Sequence, residues 1–408
     1  MPNRHEGNEF RALRLRDVLE ARAVYHNHLV GIDDEIAGTA VGLKRFATRS
    51  GHPKTFENTV IREDSYPCLY VLVRRWRPAE EFQGDSAALG RFIPPVLHLP
   101  DGRKVPTCVL LVTSQDRAAP LDCEGFRSPM IGGGYPIFSI EQGRKHYGTL
   151  ACLVTDGSAT YGLTCRHVAG EPGRPVYANL ATGARRIGEA HTSVGKKLFQ
   201  QAYPDWNEPH VYLNLDAGLV RLDQLTQTTA QVLGVRHVGK LLNLAPETLS
   251  LDLIGQPVHG FGAVAGVTEG RIDALFFRYK AVGGFEYVAD VMIGPRPDAP
   301  RRLHSAPGNS GELWFIDVDG ASRPLAMQWG GYEERDAGRP PDQYVLGTFL
   351  STIARALDVD VVRNWNTGLF EYWGAAPHQA LSALLPRCVA QPRTRTADHV
   401  AAELRPPR

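Results

Sequence analysis

The chain has 408 residues, 43% hydrophobic and 22% charged, a soluble globular balance long enough for two or three domains. Its 45 basic and 44 acidic residues leave a formal net charge of +1. That excludes strong electrostatic attraction to nucleic acid or to an anionic membrane surface. No run of about 18 apolar residues occurs, so no transmembrane helix is expected, and the opening MPNRHEGNEFRALRLRDVLEARAV has no unbroken apolar stretch of the kind a secretory signal needs.

Ala12, Leu15, Val18, Leu19 and Ala23 recur at helical spacing and predict a helix over 11–30. Two strand patterns follow, AGTAVGLKRF and YPCLYVLVRRW, and DGRKVPTCVLLV adds a third after a turn. Residues 1–125 therefore read as a compact α/β unit. It holds no catalytic constellation, and its acidic run Asp33-Asp34-Glu35 reads as a solvated loop. Residues 126–145 read as a loop-rich join in which Gly132-Gly133-Gly134 marks a flexible or tightly turned segment.

Beyond the join the strand signals become regular. YGTLACLVT, a DGS turn and TYGLTCRHV form a hairpin pattern. More short strands continue to about Leu222, and a second series runs from about Val232 to Leu350. With 41 Gly and 29 Pro scattered as turn residues, two consecutive sets of short strands predict a mainly β fold of two barrels side by side over 146–358. FLSTIARALDV predicts a closing helix and PHQALSALLPR another. Residues 359–408 form a C-terminal extension whose polar, Pro-flanked tail from Ala390 is expected to be mobile.

Six cysteines (Cys68, Cys108, Cys123, Cys152, Cys165, Cys388) show no CxxC spacing and fall mostly in apolar, strand-like contexts. Reduced thiols in a cytoplasmic protein are the expectation. The histidines do not cluster with them, so neither zinc nor another metal is expected, and no cofactor is implied.

Three residues carry chemistry together. His167 ends the strand YGLTCRH, Asp216 opens DAGLVRL, and Ser310 lies in SAPGNSGELWF between Gly-Asn and Gly. Each alone is a weak signal. A strand-end His is usually structural, an Asp before a strand usually a turn residue, and GxSG a common turn. Jointly they supply a nucleophile, a base to take its proton and an acid to orient that base. The backbone N–H groups of Gly308 and Ser310 would supply the oxyanion donors, because glycine lets the loop curl with its amides pointing one way. Cys165 is a rival nucleophile on paper, but no glycine-rich loop adjoins it, and it reads as a buried structural thiol.

From about residue 146 to 358 the chain resembles the trypsin-like, chymotrypsin-fold serine peptidases. LTCRHVAG resembles that family's strand-ending histidine motif, LDAGLVRLD its aspartate motif and APGNSGELWF its nucleophile loop, in the family's order His, Asp, Ser. GAVAGVTEGRI resembles the second-barrel hairpin of intracellular members. LAMQWGGY resembles the strand lining the primary pocket, which implies Gln328, Trp329 and Gly330 as pocket residues. GTAVGLKRF and PCLYVLVRRW resemble the leader domain of bacterial and plant narrow-leaf-type members. The resemblance implies two six-stranded barrels, a protein or peptide substrate and, for bacterial members, an activating protein partner in stress or defence.

Departures from that pattern carry expectations too. Asn309 replaces the Asp that pairs with a freshly cut N-terminus in secreted members, so activation by N-terminal cleavage is not expected, and its side chain can instead hold the loop by local hydrogen bonds. Glu312 replaces the second glycine after the serine. It either points to solvent or disfavours acidic groups on the leaving side. Val168 follows His167 where secreted members have a disulfide cysteine.

By resemblance His304 sits at the floor of the primary pocket. Without a carboxylate there, a buried Lys or Arg side chain of the substrate would stay unpaired at a cost of several kcal/mol, roughly. Cleavage after Lys or Arg is therefore not expected. Arg301, Arg302 and His304 either favour acidic residues or, the preferred reading, form a solvated loop. Three functions compete: a serine endopeptidase, a catalytically silent peptidase fold acting as a peptide-binding or scaffold module, and an interaction protein led by its N-terminal domain. The intact His, Asp and Ser favour the first.

Overall fold

The computed structural model describes residues 6–366 and 388–390, apart from 33–34, 49–51, 78, 83–90, 113–120, 124–129, 207, 236–237, 282–283, 297–302, 304–305 and 335–341. The helix expected within PHQALSALLPR and the tail from residue 391 lie outside the described residues.

The predicted helix runs from Leu15 to Ile32 (α1). It starts later than the apolar spacing suggested because the Asp17 carboxylate accepts the Arg14 N–H at 2.7 Å, half of a capping box that fixes the first turn. Three predicted strands follow as β1 (Ile36–Leu43), β2 (Pro67–Val73) and, after the short β3 (Val96–His98), β4 (Lys104–Leu111). β2 is buried along its whole length, as a near-continuous apolar run requires when both faces are covered. Leu69, Val71 and Val73 share a cluster with Val18 and Leu19 of the helix. Cys68, Tyr70 and Leu72 share one with Ala274, Phe277, Met292 and Tyr344 further along the chain.

Two closed rings of strands make up the rest. The first contains β5 (Pro136–Glu141), β6 (Arg144–Thr149) running on into β7 (Cys152–Thr155), β8 (Thr160–Cys165), β9 (Pro175–Leu180), β10 (Gly183–Leu198) and β11 (Val211–Leu222). Taking β6 and β7 as one interrupted strand, the pairings β5–β6, β7–β8, β8–β11, β11–β10, β10–β9 and β9–β5 close a six-stranded barrel. The second contains β12 (Pro257–Gly262), β13 (Gly266–Lys280), β14 (Glu286–Pro295), β15 (Leu313–Val318), β16 (Ala321–Glu334) and β17 (Asp342–Phe349). Its pairings run β12–β13–β14–β17–β16–β15 and return to β12. The closing helix α4 spans Leu350–Leu357, and two short helices in the first barrel, α2 (Arg166–Ala169) and α3 (Phe199–Ala202), precede it. No helix among the described residues is long and apolar enough to cross a membrane.

Two features depart from the local reading. The join expected over 126–145 contains the first barrel strand, and of the two readings left open for its glycines the close-packed one fits. A Cβ on Gly133 would lie 2.5 Å from the Ala151 carbonyl, and one on Gly134 would lie 2.7 Å from the Phe261 ring. Backbone without side chains is what passes there. The N-terminal strands, moreover, continue the sheet of the second barrel: β1 pairs antiparallel with the far half of β13, Val41 opposite Leu275 and Gly38 opposite Tyr279.

Candidate active site

His167 sits in α2, the single helical turn that ends β8. Val168 and Ala169 are buried, while the imidazole faces outward. β11 passes alongside, pairing Cys165 with Ala217. Just before that pair the β10–β11 register slips between Val194 and Lys196, and Asp216 adopts φ 39. A bulge re-aims a side chain in this way, and left-handed backbone is tolerated by Asp better than by most residues. The re-aimed carboxylate takes His167 Nδ1 at 2.6 Å with one oxygen and accepts the His167 N–H at 3.2 Å with the other. The imidazole is 47% exposed and the carboxylate 19%, so the ring is open to a ligand while its partner is shielded.

The serine loop is fastened to the same place. Gly311 N–H donates to the Gln328 carbonyl at 2.8 Å, and the Cys165 thiol donates to that same oxygen at 3.2 Å. Thr149, buried at the end of β6, donates its N–H to the Ser310 carbonyl at 2.7 Å and its hydroxyl to the Gly308 carbonyl at 2.9 Å. A Cβ on Gly311, at φ 97, would fall 2.0 Å from the Thr149 carbonyl, so only glycine lets the loop come this close. Asn309 is fully buried, and its side-chain oxygen accepts the N–H groups of Val264 and Ala265 in the β12–β13 turn, so it braces the loop against a distant hairpin where local hydrogen bonds were expected. Asn309 and Glu312 use their N–H groups inside the loop. Those of Gly308 and Ser310 find no acceptor among the described residues. Nor does any hydrogen bond among the described residues join the Ser310 hydroxyl to the imidazole. In unliganded sites that bond commonly tightens only when substrate arrives.

Of the expected pocket residues, His304 lies outside the described residues. The Gln328 side chain turns inward: it is 2% exposed, with Oε1 accepting Trp314 Nε1–H at 3.3 Å. It is the Gln328 backbone that serves the site. Trp329 is half-buried and donates Nε1–H to the Thr348 hydroxyl at 3.0 Å, and a Cβ on Gly330 would meet nothing within 4 Å.

Cys165, His167 and Asp216 offer ligand atoms within 4.8 Å of one another. A metal would need the thiolate, yet burial, reinforced by the Asp216 charge, holds the thiol well above its ordinary range. Asp216 is already committed to the histidine. The donor set suits proton transfer better than metal binding.

Glu312 points neither to solvent nor to the leaving side. It is fully buried, takes the Thr268 hydroxyl on Oε1, and packs where a Cβ on Gly260 or Gly262 would lie 2.8 or 2.6 Å from its oxygens. Burial pushes its carboxyl up to about 8, so it is neutral at pH 7. Its ordinary value is 4.5. Between those values the folded chain holds a proton that the unfolded chain has lost, so stability falls as pH rises through the window, by on the order of 5 kcal/mol. Glu312→Gln, neutral at every pH, will show a shallower decline in urea midpoint from pH 5 to 8 than wild type. Asp290, buried and raised to about 7, continues to titrate in both proteins. Equal slopes would refute a neutral Glu312.

Thr149 and Glu312 are the site residues that sequence reasoning missed or misplaced. Thr149 is the third residue of YGTLACLVT, with no motif around it. Its role comes from contact with a loop 159 residues away.

Two closed six-stranded barrels, with a paired His and Asp at the rim of one and a glycine-flanked serine loop of the other fastened beside them, make this a mainly β, chymotrypsin-fold protein. The chain belongs to the Nal1 C-terminal domain family, whose match covers residues 122–366. It is 35% identical over 412 residues to a protein of Bradyrhizobium tropiciagri named a probable serine protease, an alignment covering 92% of this chain and 51% of that one. The chain thus spans about half the length of the curated relative it matches. Among solved structures, Thermobifida fusca protease A is 15% identical with a TM-score of 0.36, covering 58% of this chain and 100% of that one. A glutamic acid-specific serine protease is 18% identical with a TM-score of 0.38, covering 57% of this chain and 100% of that one.

Proposed function

We propose that the protein is a serine endopeptidase acting on protein or peptide substrates. Ser310 Oγ attacks the scissile carbonyl while its proton passes to His167 Nε2. Asp216 holds the ring with Nδ1–H toward itself, and the oxyanion forms against the N–H groups of Gly308 and Ser310. Collapse of the tetrahedral intermediate transfers the proton to the departing amine. Water, with His167 again as base, then frees the acyl group from Ser310. The observation that carries this reading is the 2.6 Å His167–Asp216 pair beside a serine loop whose Gly311 N–H shares the Gln328 carbonyl with the thiol of Cys165, the residue that ends the strand before His167.

A second reading, a silent fold that binds peptide, draws on the missing Ser310–His167 hydrogen bond. A partner or substrate that closes that gap would convert the second state into the first, which is how partner activation would operate. The free, buried Cys68, Cys108, Cys152 and Cys165 suit a reducing, cytoplasmic setting. Selectivity against Lys and Arg rests on residue 304 being histidine. Cleavage of a peptide library by the full chain, read by mass spectrometry, tests activity and preference together. New termini in wild type, absent with His167→Ala and not dominated by Lys or Arg, are expected. Termini that persist in His167→Ala would overturn the mechanism, and dominant Lys/Arg cleavage would overturn the selectivity.

A further inference from the structure

The N-terminal sheet has a cavity of its own, about 230 Å³, lined in part by Ile36, Val73 and Val109. These three belong to β1, β2 and β4. Trp76, Phe82 and Phe92 also line it. Phe82 and Phe92 meet edge to face at 5.5 Å, and Phe92 is 45% exposed. Rings of this size left partly in water are a binding feature more than a core feature.

Among the described residues the charge at the rim is mostly positive: Arg75, Arg77 and Arg91 border the cavity, with the carboxylate of Glu35. Arg77 and Glu35 already have interactions within the fold. Arg75 and Arg91 are exposed and form no ion pair among the described residues. Two guanidinium groups beside an apolar cavity complement an anion attached to an apolar body.

The sheet edge adds a directional element. Val112 N–H donates to the Val73 carbonyl at 2.7 Å, which fixes the alternation of β4 and sends the N–H and C=O of Thr107, Val109 and Leu111 away from β2. Thr107 N–H is taken by the Pro95 carbonyl at 2.9 Å and Leu111 N–H by the Lys54 carbonyl at 2.7 Å. Between them Val109 N–H has no acceptor among the described residues. A backbone N–H with no acceptor among the described residues thus lies in the wall of an apolar, arginine-rimmed cavity.

We propose that this cavity binds the carboxyl-terminal end of a peptide. The peptide backbone meets the Val109 edge, a terminal apolar or aromatic side chain enters among Trp76, Phe82 and Phe92, and the terminal carboxylate is held by Arg75 and Arg91. The site is separate from His167 and Ser310 and does not depend on their activity.

Calorimetric titration of the full chain, carrying Ser310→Ala so that hydrolysis contributes no heat, tests this. The probe is N-acetyl-Gly-Ser-Ala-Phe with a free carboxylate, compared with its C-terminal amide and with phenyl phosphate. Saturable binding of the acid is expected, at least tenfold weaker for the amide and for the Arg75→Ala/Arg91→Ala variant, whose substitutions are at exposed positions. No binding, equal affinity for acid and amide, or unchanged affinity in the arginine variant would each overturn the site. Phenyl phosphate binding as tightly as the peptide would overturn the assignment to a peptide terminus.

Discussion

Asp216→Asn is expected to lower kcat by about 10⁴-fold, near 5.5 kcal/mol of barrier, while leaving the fold intact. The carboxylate accepts from the histidine at two points, Nδ1 at 2.6 Å and the backbone N–H at 3.2 Å. An amide can keep the second contact with its oxygen, but its NH₂ then faces Nδ1 and donates. The ring must place its proton on Nε2, where it can no longer accept one from Ser310. Asparagine is the informative substitution because residue 216 sits at φ 39, which Asn tolerates and Ala does not. Loss of activity with an unchanged melting temperature would therefore report the tautomer and not the backbone. Activity within tenfold of wild type would show that residue 216 does not orient the base.

The second large effect is on stability. Arg22→Ala should cost about 3–5 kcal/mol, a large part of a typical folding free energy of about 5–15 kcal/mol. Arg22 lies on α1 with no exposed surface, its Nε–H on Glu208 Oε1 at 2.7 Å and its guanidinium 5.7 Å from the centre of the Phe199 ring. Another of its N–H groups donates to the carbonyl of Phe276, a residue held at φ 54 in β13. One side chain thus joins the N-terminal helix, the segment between β10 and β11, and the second barrel. Removing it leaves Glu208, 2% exposed, with Arg278 at 3.4 Å as its remaining ion-pair partner. Adding Glu208→Gln to Arg22→Ala should recover part of the loss, because the stranded charge disappears. Urea denaturation of the three proteins checks both statements. A loss below 1 kcal/mol for Arg22→Ala would mean that the junction is not structural.

Legibility of the fold followed the range of the interactions. Strands such as Pro67–Val73 and Cys152–Thr155 declare themselves by local apolar pattern and turn residues, and the order His167, Asp216, Ser310 could be read in their motifs. What could not be read came from distant contact. Nothing near Gly38 announces a partner at Tyr279, so the pairing of the N-terminal sheet with the second barrel was not legible. Nothing in GNSGE indicates that Glu312 turns inward to Thr268. The unusual backbone of Asp216 accompanies a bulge in its own strand, where the register against the neighbouring strand slips, and a single sequence carries no local sign of it. Gln328 was placed by its neighbourhood, but burial reversed its side chain and left the carbonyl as the working group.

Reaction of the intact chain with a fluorophosphonate, mapped by mass spectrometry, bears most directly on whether these barrels cradle an activated hydroxyl. A single adduct on Ser310, lost with Ser310→Ala and strongly slowed with His167→Ala, is the predicted result. A folded wild type that takes up no reagent even with substrate-like peptide present, or an adduct that survives Ser310→Ala, would contradict it.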